Sequence, residues 1–431
     1  MISSTLPSSS LPVALSDTER AIGEAVRLPR YITRQPLLDA DFRILGYELK
    51  INAASPLPVL PGANSLQQIQ DEALLVSIVD LEYQQALGRK LTLLNLDALS
   101  LDNPLLEKLP HESAVIALQP TLPTPSLLAR CQALARNGYA LALDEAALSA
   151  GMIPLALYSR YLRFDVGDND LMSLCDRLVR IHAIQGPRLI AHNVETEEAF
   201  SACKKLSFDV YQGYFFTQVR PAAARDIDTS RLRIVKLLNL VASHVEFPLI
   251  EAEFKPDPGL TYKLLRFINS PAVGLRSPIR SIIHALLMLG HDQLYRWLTL
   301  LLFTHCETDG RSRALLRTAL IRARFAENLG EGRLGVEDRG GLFIVGILSM
   351  LDALLNLALE RALAVLNLTQ PVVDALLHDR GVYAPYLRLA IACERGDRQS
   401  IGQIADTLGL SPEAVNLAHM NALIWSEGMD L

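Results

Sequence analysis

The chain has 431 residues, of which 50% are hydrophobic and 20% are charged, and its formal net charge at pH 7 is −6. This length predicts two or three domains, and this composition is typical of a globular protein rather than a disordered one. Because the balance is acidic, a general electrostatic attraction to nucleic acid is excluded, and only a local basic patch stays open.

The five cysteines lie far apart in the sequence and form no CxxC pair. This pattern argues against a disulfide framework and against a zinc site, and it favours a reducing cytoplasm. Residues 1–28 are rich in serine and proline and lack the basic start and the apolar run of a signal peptide. We expect a partly disordered tail there, with a short helix at Asp17–Val26.

One segment tests whether the chain spans a membrane. Gly340–Leu359 is long and apolar enough to be weighed as a membrane helix. Its C-terminal half carries Asp352 and Asn356, and an ionised aspartate at the centre of a membrane helix costs about 2.5–3.5 kcal/mol. We therefore expect a buried helix in a soluble helical domain and no membrane span.

Short β-rich runs alternate with helical stretches, such as Leu66–Leu87 and Pro125–Arg136, up to about residue 220. This alternation predicts a parallel sheet with helical crossovers, and the number of repeats favours a (β/α) barrel. The first run contains the turn-forming segment Asp39–Asp41, so we expect an antiparallel hairpin there. Most runs end in a polar residue, where barrel enzymes carry their active-site groups. These residues are Glu48, Asn95, Gln119, Asp144 and His192.

Beyond residue 232 the apolar residues follow a helical period, for example at Leu260, Leu264 and Ile268. This period predicts an all-α second domain, preceded by a connector rich in alanine and arginine. The predicted division of the chain is a tail at 1–28, a barrel domain at 29–222, a linker at 223–230 and a helical domain at 231–425.

Several segments resemble the EAL phosphodiesterases, in the divergent subgroup that is fused to an HDOD domain. In the first half the resemblance lies in RQPLLDADFRILGYEL at 34–49, LLNLD at 93–97, LALDE at 141–145, AHNVET at 191–196 and QGYFF at 212–216. The second half resembles HDOD domains at 263–290 and 340–355. The resemblance implies an α/β plus all-α fold, with a degenerate TIM-like EAL barrel followed by a helical HDOD domain.

The resemblance also implies a site. Active EAL enzymes hydrolyse cyclic di-GMP with water activated by two Mg²⁺ or Mn²⁺ ions, which need hard oxygen ligands. The positions that keep the family's residues are Glu48, Asn95, Asp144, Glu195 and Gln212. The positions that depart are Asn52 for the signature arginine, Gln119 and His192 for two glutamates, Glu145 for the second aspartate and Arg163 for the catalytic lysine.

These departures fall on metal and phosphate positions. Gln119 and His192 each remove a negative charge, and Asn52 removes a phosphate partner. We therefore predict that the chain is not an enzyme, holds no metal or cofactor, and is an adaptor for unidentified signalling proteins in bacterial motility or biofilm control. One alternative is a sensor that binds cyclic di-GMP without hydrolysis. A second is a phosphodiesterase that depends on Mg²⁺ or Mn²⁺.

Three motifs suggest other metal or nucleotide sites. The dipeptides His291–Asp292 and His378–Asp379 lack the further histidine and aspartate that an HD-type metal site needs, so we expect no hydrolase there. The GxGxxG sequence at 330–335 follows a helix rather than a strand, so we expect a loop between helices.

Two other segments bear on nucleic-acid binding. Five arginines lie between Arg311 and Arg324 without interleaved aromatic residues, which favours a solvated or partner-facing helix surface. The segment 410–420 has the spacing of a helix-turn-helix but lacks basic residues that would read DNA. We therefore expect no nucleic-acid partner.

Overall fold

A computed structural model of the chain describes ten stretches of the sequence. They are residues 30–53, 63–80, 90–118, 123–145, 153–167, 171–181, 186–219, 229–270, 278–304 and 310–429. The predicted tail with its helix at Asp17–Val26, the residue Gln119 and most of the predicted linker lie outside the described residues.

Eight strands form a closed barrel in which strands that follow one another in sequence are neighbours. The first strand is antiparallel to the second and to the eighth, and the other pairs are parallel. The predicted barrel and its opening hairpin are confirmed. The strands are β1 (Arg30–Leu38), β2 (Ile44–Ala53), β3 (Leu91–Leu96), β4 (Ala114–Leu118), β5 (Ala140–Asp144), β6 (Ser159–Asp165), β7 (Arg188–His192) and β8 (Val210–Gln212).

Five described α-helices connect these strands, and capping side chains mark where the second and the last of them begin. In the last of them, Thr196 Oγ1 accepts a hydrogen bond from the amide of Ala199 at 3.1 Å, and Glu197 lies in the first turn, where the helix dipole favours an anion. The helices are α1 (Ala63–Asp80), α2 (Pro125–Arg136), α3 (Ile153–Ala156), α4 (Leu171–Ile181) and α5 (Glu197–Lys205).

The described residues from Thr229 to Glu427 form helical segments and no strand, which confirms the predicted all-α domain; the segment Ile282–Thr304 is broken at Gly290, whose φ is 68°. The helical segments are α6 (Thr229–Ala242), α7 (Phe247–Phe254), α8 (Pro258–Ile268), α9 (Ile282–Thr304), α10 (Gly310–Leu329), α11 (Val336–Leu348), α12 (Leu351–Leu355), α13 (Leu359–Leu363), α14 (Gln370–Leu377), α15 (Ala384–Arg395), α16 (Arg398–Thr407) and α17 (Pro412–Glu427). The GxGxxG sequence at 330–335 is the turn between α10 and α11, as expected.

The apolar segment Gly340–Leu359 is mostly buried, but the prediction of one continuous helix is wrong. Helix α11 ends at Leu348, and α12 is only five residues long before Asn356 adopts a left-handed conformation with φ of 57°. The hydropathy of the segment did not show this break, because both short helices bury apolar residues. Among the described residues, no helix has the length and apolar character needed to cross a membrane.

Helix α10 lies at the boundary between the barrel and the helical domain. Arg311 donates hydrogen bonds to the carbonyl oxygens of Phe216, at 2.9 Å, and Gln218, at 2.5 Å, which follow β8. Arg322 Nη2 lies 2.7 Å from Glu394 Oε2 within the helical domain. Both arginines are buried, so the prediction of a solvated helix surface is wrong for them. Each buried guanidinium has its own acceptors, which offset the cost of burying its charge. The spacing of the arginines in the sequence did not show these acceptors, so it resembled the pattern of an exposed helix.

Helix α17 covers an open edge of the barrel. Strand β1 pairs with β8 only through its last two residues, so its earlier backbone groups have no strand partner on that side. The side chain of Asn416 takes the place of a strand, since its Oδ1 accepts from the amide of Ile32 at 2.8 Å and its Nδ2 donates to the carbonyl of Arg30 at 3.0 Å. The segment 410–420 therefore packs against the barrel.

A buried charged cluster joins the two domains beside this edge. Arg34 of β1 lies 2.6 Å from His419 Nε2 through Nη1 and 3.6 Å from Glu394 Oε1 through Nη2. His419 Nδ1 lies 3.1 Å from the carbonyl oxygen of Ile32, which can only accept, so Nδ1 carries the proton and Nε2 accepts from Arg34. Burial, followed by the neighbouring charge of Arg34, lowers the pKa of His419 to about 3.

Candidate functional site

The inner face of the barrel places a set of polar side chains at one end. An apolar cluster with members from seven of the eight strands fills the interior. Because side chains along a strand alternate between two faces, a residue two positions later lies on the same face, one layer nearer the carboxyl-terminal mouth. The pairs of apolar and polar residues are Leu93 and Asn95, Ala142 and Asp144, Tyr161 and Arg163, Ile190 and His192, and Val210 and Gln212.

Glu48 is the centre of this set. Its side chain is 0% exposed, although it carries a carboxylate. Lys50 Nζ lies 2.7 Å from Oε2, and Asn95 Nδ2 donates to Oε1 at 2.6 Å. Gln212 Nε2 also donates to Oε2, and Arg163 Nη1 lies 3.3 Å from Oε1. A buried carboxylate needs such compensation, because its desolvation is costly without paired charges and hydrogen bonds.

Arg163 inserts its guanidinium among the acceptors at the mouth. Its Nη1 donates to Asn95 Oδ1 at 2.6 Å, and its Nε lies 2.9 Å from Asp144 Oδ1 as an ion pair without aligned hydrogen-bond geometry. The side chain is 6% exposed. A planar guanidinium can contact several acceptors at once, which the compact ammonium of a lysine cannot do in the same way.

The two adjacent carboxylates Asp144 and Glu145 face different partners. Glu145 forms an ion pair with Arg177 of α4, whose Nη2 also donates to the carbonyl of Asp165 at 3.1 Å. Burial raises the pKa of Glu145, while the charge of Arg177 opposes that shift. Of the pair that the resemblance aligned with the family's two aspartates, only Asp144 therefore contacts the guanidinium of Arg163, whereas Glu145 meets Arg163 through the backbone alone.

His192 ends β7 beside Asp165, with which it is in register. Burial and the positive charge of Arg163 lower the pKa of His192, so its imidazole is held neutral at pH 7. Burial alone would raise the pKa of Asp165. Hydrogen bonds from the amide of Gly167 and from the side chain of Asn193 lower it by more than burial raises it, so the pKa lies below its usual value. The mouth thus combines a neutral imidazole with a stabilised carboxylate.

Three predicted positions lie either outside the described side chains or at the surface. Asn52 belongs to β2, but its side chain lies outside the described part, and Gln119 lies outside it altogether. Glu195 follows β7 and is exposed. Sequence reasoning missed Lys50 and Arg177: Lys50 could have been found, because it lies two residues after Glu48 on the same strand, whereas Arg177 reaches the site from a helix and leaves no such signal.

The donor set does not fit two divalent cations as it is arranged here. The inward-facing oxygens of Glu48, Asn95 and Asp144 are turned toward the guanidinium of Arg163, and Glu48 also contacts Lys50. Lys50 and Arg163 balance the carboxylates of Glu48 and Asp144, so these two groups carry no excess negative charge of the kind that attracts Mg²⁺ or Mn²⁺. In the part of the chain that the structure describes, no three His, Cys, Asp or Glu residues are grouped to hold a metal ion.

The first HD dipeptide lies within α9 and the second follows the end of α14. His291 Nε2 lies 3.0 Å from the carbonyl oxygen of Val245, and its ring stacks on Phe247 with centroids 4.4 Å apart. His378 caps the C-terminal end of α14, and Asp379 lies 3.4 Å from Arg388. These contacts account for both dipeptides through packing and surface pairing.

Comparison with known proteins finds a family match in the helical half and two relatives that align along nearly the whole chain. Residues 227–370 match the HDOD domain family. The cyclic di-GMP phosphodiesterase CdgJ of Vibrio cholerae is 28% identical over 404 residues, which cover 93% of each chain. The uncharacterized protein YuxH of Bacillus subtilis is 24% identical over 408 residues, which cover 93% of this chain and 98% of the relative.

Solved structures of EAL domains align with about half of the chain. The EAL domain of FimX from Pseudomonas aeruginosa, bound to c-di-GMP, aligns with a TM-score of 0.37 at 18% identity over 47% of this chain and 96% of its own. An EAL domain protein from Listeria monocytogenes aligns with a TM-score of 0.36 at 16% identity over 47% of this chain and 94% of its own.

The Vibrio cholerae relative overturns the prediction that the chain is not an enzyme, since it aligns along nearly the whole chain and is named a phosphodiesterase. Counting lost carboxylates was an insufficient criterion, because amide oxygens and imidazoles also ligate metal ions. The closed barrel, the match to the HDOD family and the relatives that align along nearly the whole chain confirm the predicted architecture, an EAL-like barrel followed by an HDOD domain.

Proposed function

We propose that the chain acts in cyclic di-GMP signalling by binding cyclic di-GMP at the carboxyl-terminal mouth of its barrel. The observation that carries the proposal is the convergence of Glu48, Arg163 and Gln212 in one buried, hydrogen-bonded cluster at that mouth. Small-molecule sites need a few preorganised polar groups of this kind, and barrel proteins place them at this end. The relative named a cyclic di-GMP phosphodiesterase supports the choice of ligand.

The chemistry of the mouth suits the two phosphodiesters and two guanine edges of this ligand. Arg163 has a planar fork that can donate two bonds to a phosphate, and Lys50 adds a second cation. Asp144, whose side chain is 30% exposed, offers a carboxylate acceptor for a guanine N–H. Gln212 Oε1 is buried and accepts no hydrogen bond from any described residue, which leaves a further acceptor at the mouth.

We propose hydrolysis of cyclic di-GMP as a second candidate function, because the relative over 93% of the chain is named for it. In the described arrangement the guanidinium of Arg163 faces the oxygens that a divalent cation would need. Turnover therefore requires Arg163 to withdraw from Asn95 and Asp144, for example toward the phosphate of the bound ligand. The expected signalling-protein partner of the chain stays a prediction beside both candidates.

Calorimetric titration of the full chain with cyclic di-GMP tests the first proposal. We expect a dissociation constant at or below the micromolar range, which corresponds to about −8 kcal/mol. The titration is done with EDTA, with Ca²⁺ and with Mg²⁺ or Mn²⁺, and the products are separated by chromatography. Absence of binding under every condition would refute the proposal, whereas linear product formation with Mg²⁺ or Mn²⁺ would establish hydrolysis.

Two variants make the titration specific to the mouth. Gln212→Ala removes the side chain with the unpaired acceptor, and Asp144→Asn removes the exposed carboxylate, so we expect weaker binding in both. Arg361→Ala, an exposed residue of α13, is the matched control and should bind like the unaltered chain. Equal affinities in the unaltered chain and in all three variants would show that any bound ligand lies outside the mouth.

A further inference from the structure

A second polar cavity lies at the opposite end of the barrel, where the helical domain meets it. Its volume is about 230 Å³, and it is lined by the turn between β1 and β2, by the residue before β3 and by α10. Because β2 and β3 both begin here, the cavity lies at the amino-terminal end of the parallel strands. It is therefore separate from the mouth that carries Glu48 and Arg163.

The charge of this cavity is opposite to that of the whole chain, whose formal net charge is −6. Four basic side chains from three separate segments line it, and no acidic residue is among its described lining residues. The remaining wall is apolar and includes Phe42 and Ile44. The basic residues are Arg43, Lys90, Arg313 and Arg317.

Only two of these four cations are paired. Glu427 Oε2 lies 2.5 Å from Lys90 Nζ and 3.3 Å from Arg317 Nη1. Arg43 and Arg313 are exposed, and neither side chain has an ion pair or hydrogen bond to another described residue. Among the lining residues and their ion-pair partners, four cations face the single carboxylate of Glu427, and the carboxylates of Asp39 and Asp41 lie in the same turn as Arg43.

We propose that this cavity binds a phosphate-class anion, either inorganic phosphate or the phosphate group of a small phosphomonoester. Guanidinium groups suit this class, because their forked N–H donors match phosphate oxygens. The cavity is smaller than the roughly 300–1,000 Å³ that encloses a drug-sized ligand, so a single phosphate group fits better than a dinucleotide. The apolar wall strengthens the attraction by limiting solvent on one side.

The cavity lies between the two domains, so a bound anion would contact both of them. Arg43 belongs to the barrel, whereas Arg313 belongs to helix α10 of the helical domain. An anion between them would join the two domains and would stabilise the folded state by an amount that grows with the logarithm of its concentration once this exceeds the dissociation constant. This proposal does not depend on cyclic di-GMP binding at the mouth.

The test is calorimetric titration of the full chain with inorganic phosphate and, separately, with glycerol phosphate, at an ionic strength held constant with chloride. Thermal unfolding is followed in the same solutions. We expect saturable binding and a higher melting temperature than in chloride alone. Equal affinities would identify inorganic phosphate as sufficient, and tighter binding of glycerol phosphate would identify a small phosphomonoester. No saturable binding of either anion would overturn the proposal.

Variants at the two unpaired arginines test the location. Arg43→Ala and Arg313→Ala should each lower the affinity of the cavity for the anion roughly tenfold or more, since each removes charge-assisted hydrogen bonds. Neither substitution breaks a described ion pair, so the fold should persist, and far-ultraviolet circular dichroism checks this. Arg361→Ala should bind the anion normally. Unchanged affinity in both cavity variants would overturn the proposed location, and cyclic di-GMP titration of the same variants tests the mouth separately.

Discussion

Arg163 illustrates how one side chain can decide what a barrel mouth is able to hold. Its guanidinium contacts Glu48, Asn95 and Asp144, which come from three different strands. A guanidinium that already contacts these oxygens competes directly with a metal ion for them. The affinity of this mouth for Mn²⁺ therefore depends on where the Arg163 side chain lies.

Substitution of this residue gives a prediction with two readouts. In Arg163→Ala the carboxylates of Glu48 and Asp144 lose a cation, so we expect the free energy of unfolding to fall by about 3–5 kcal/mol. We also expect Mn²⁺ to stabilise the variant more than the unaltered chain, because the oxygens become available. Urea denaturation with and without Mn²⁺ measures both effects. If Mn²⁺ stabilised the variant no more than the unaltered chain, Arg163 would not compete with the metal ion for these oxygens. The control Arg361→Ala should match the stability of the unaltered chain within about 0.5 kcal/mol.

The identity and the face of the mouth residues could be predicted from the sequence, since the period of two along each strand places Asp144 and Arg163 on the inner face. The contacts could not be predicted. The direction of the Arg163 side chain depends on acceptors from β2, β3 and β5 together. Glu145 pairs with Arg177 of α4, which lies 32 positions later in the sequence, so the neighbourhood of Glu145 in the chain does not reveal this contact.

The helices also show what periodicity can and cannot predict. It indicated an all-α second half because apolar residues at helical spacing must bury one face. It did not indicate the close contact of α11 with α10 at Gly346, where an added Cβ would lie 2.4 Å from the Cα of Ala323. A hydropathy pattern records which residues are apolar but not how near two backbones approach.

Two glycines of α11 provide a matched test of this contact. Gly346→Ala should destabilise the chain by about 1–3 kcal/mol, because the new methyl group meets the backbone of α10. At Gly340 nothing lies within 4 Å of an added Cβ, so Gly340→Ala should stabilise the helix by about 0.5–1 kcal/mol. Thermal or chemical denaturation of the two variants should therefore give shifts of opposite sign. Shifts of the same sign would show that the helices separate easily at this contact.

Across the whole molecule, the junction between the two domains should respond to acid. The folded chain keeps His419 neutral, with a pKa of about 3, whereas a histidine in the unfolded chain has a pKa near 6.5. As the pH falls below 6.5, only the unfolded chain takes up this proton, so stability that is fully present above pH 6.5 is lost toward pH 3. Between pH 7 and pH 5 this residue alone should remove about 2 kcal/mol.

The comparison that isolates this contribution uses the slope of stability against pH. His419→Gln should be less stable than the unaltered chain at pH 7, because Gln reproduces only part of the contacts with Arg34 and Ile32. Its loss between pH 7 and pH 5 should nevertheless be smaller by about 2 kcal/mol. His284→Gln, at an exposed histidine of α9, should keep the slope of the unaltered chain. Parallel slopes for all three proteins would disprove the contribution of His419.

The covering of β1 by α17 has a consequence for biosynthesis. Asn416 and Ile32 are separated by 384 positions, so β1 leaves the ribosome long before the helix that covers its edge. Until then the nascent chain presents an unpaired strand edge, which can pair with other chains. Contacts so distant in sequence also slow folding, because a long loop must close before they form. A nascent chain that stops short of α17 therefore leaves the ribosome with this edge exposed, and we expect it to aggregate or to be bound by a chaperone.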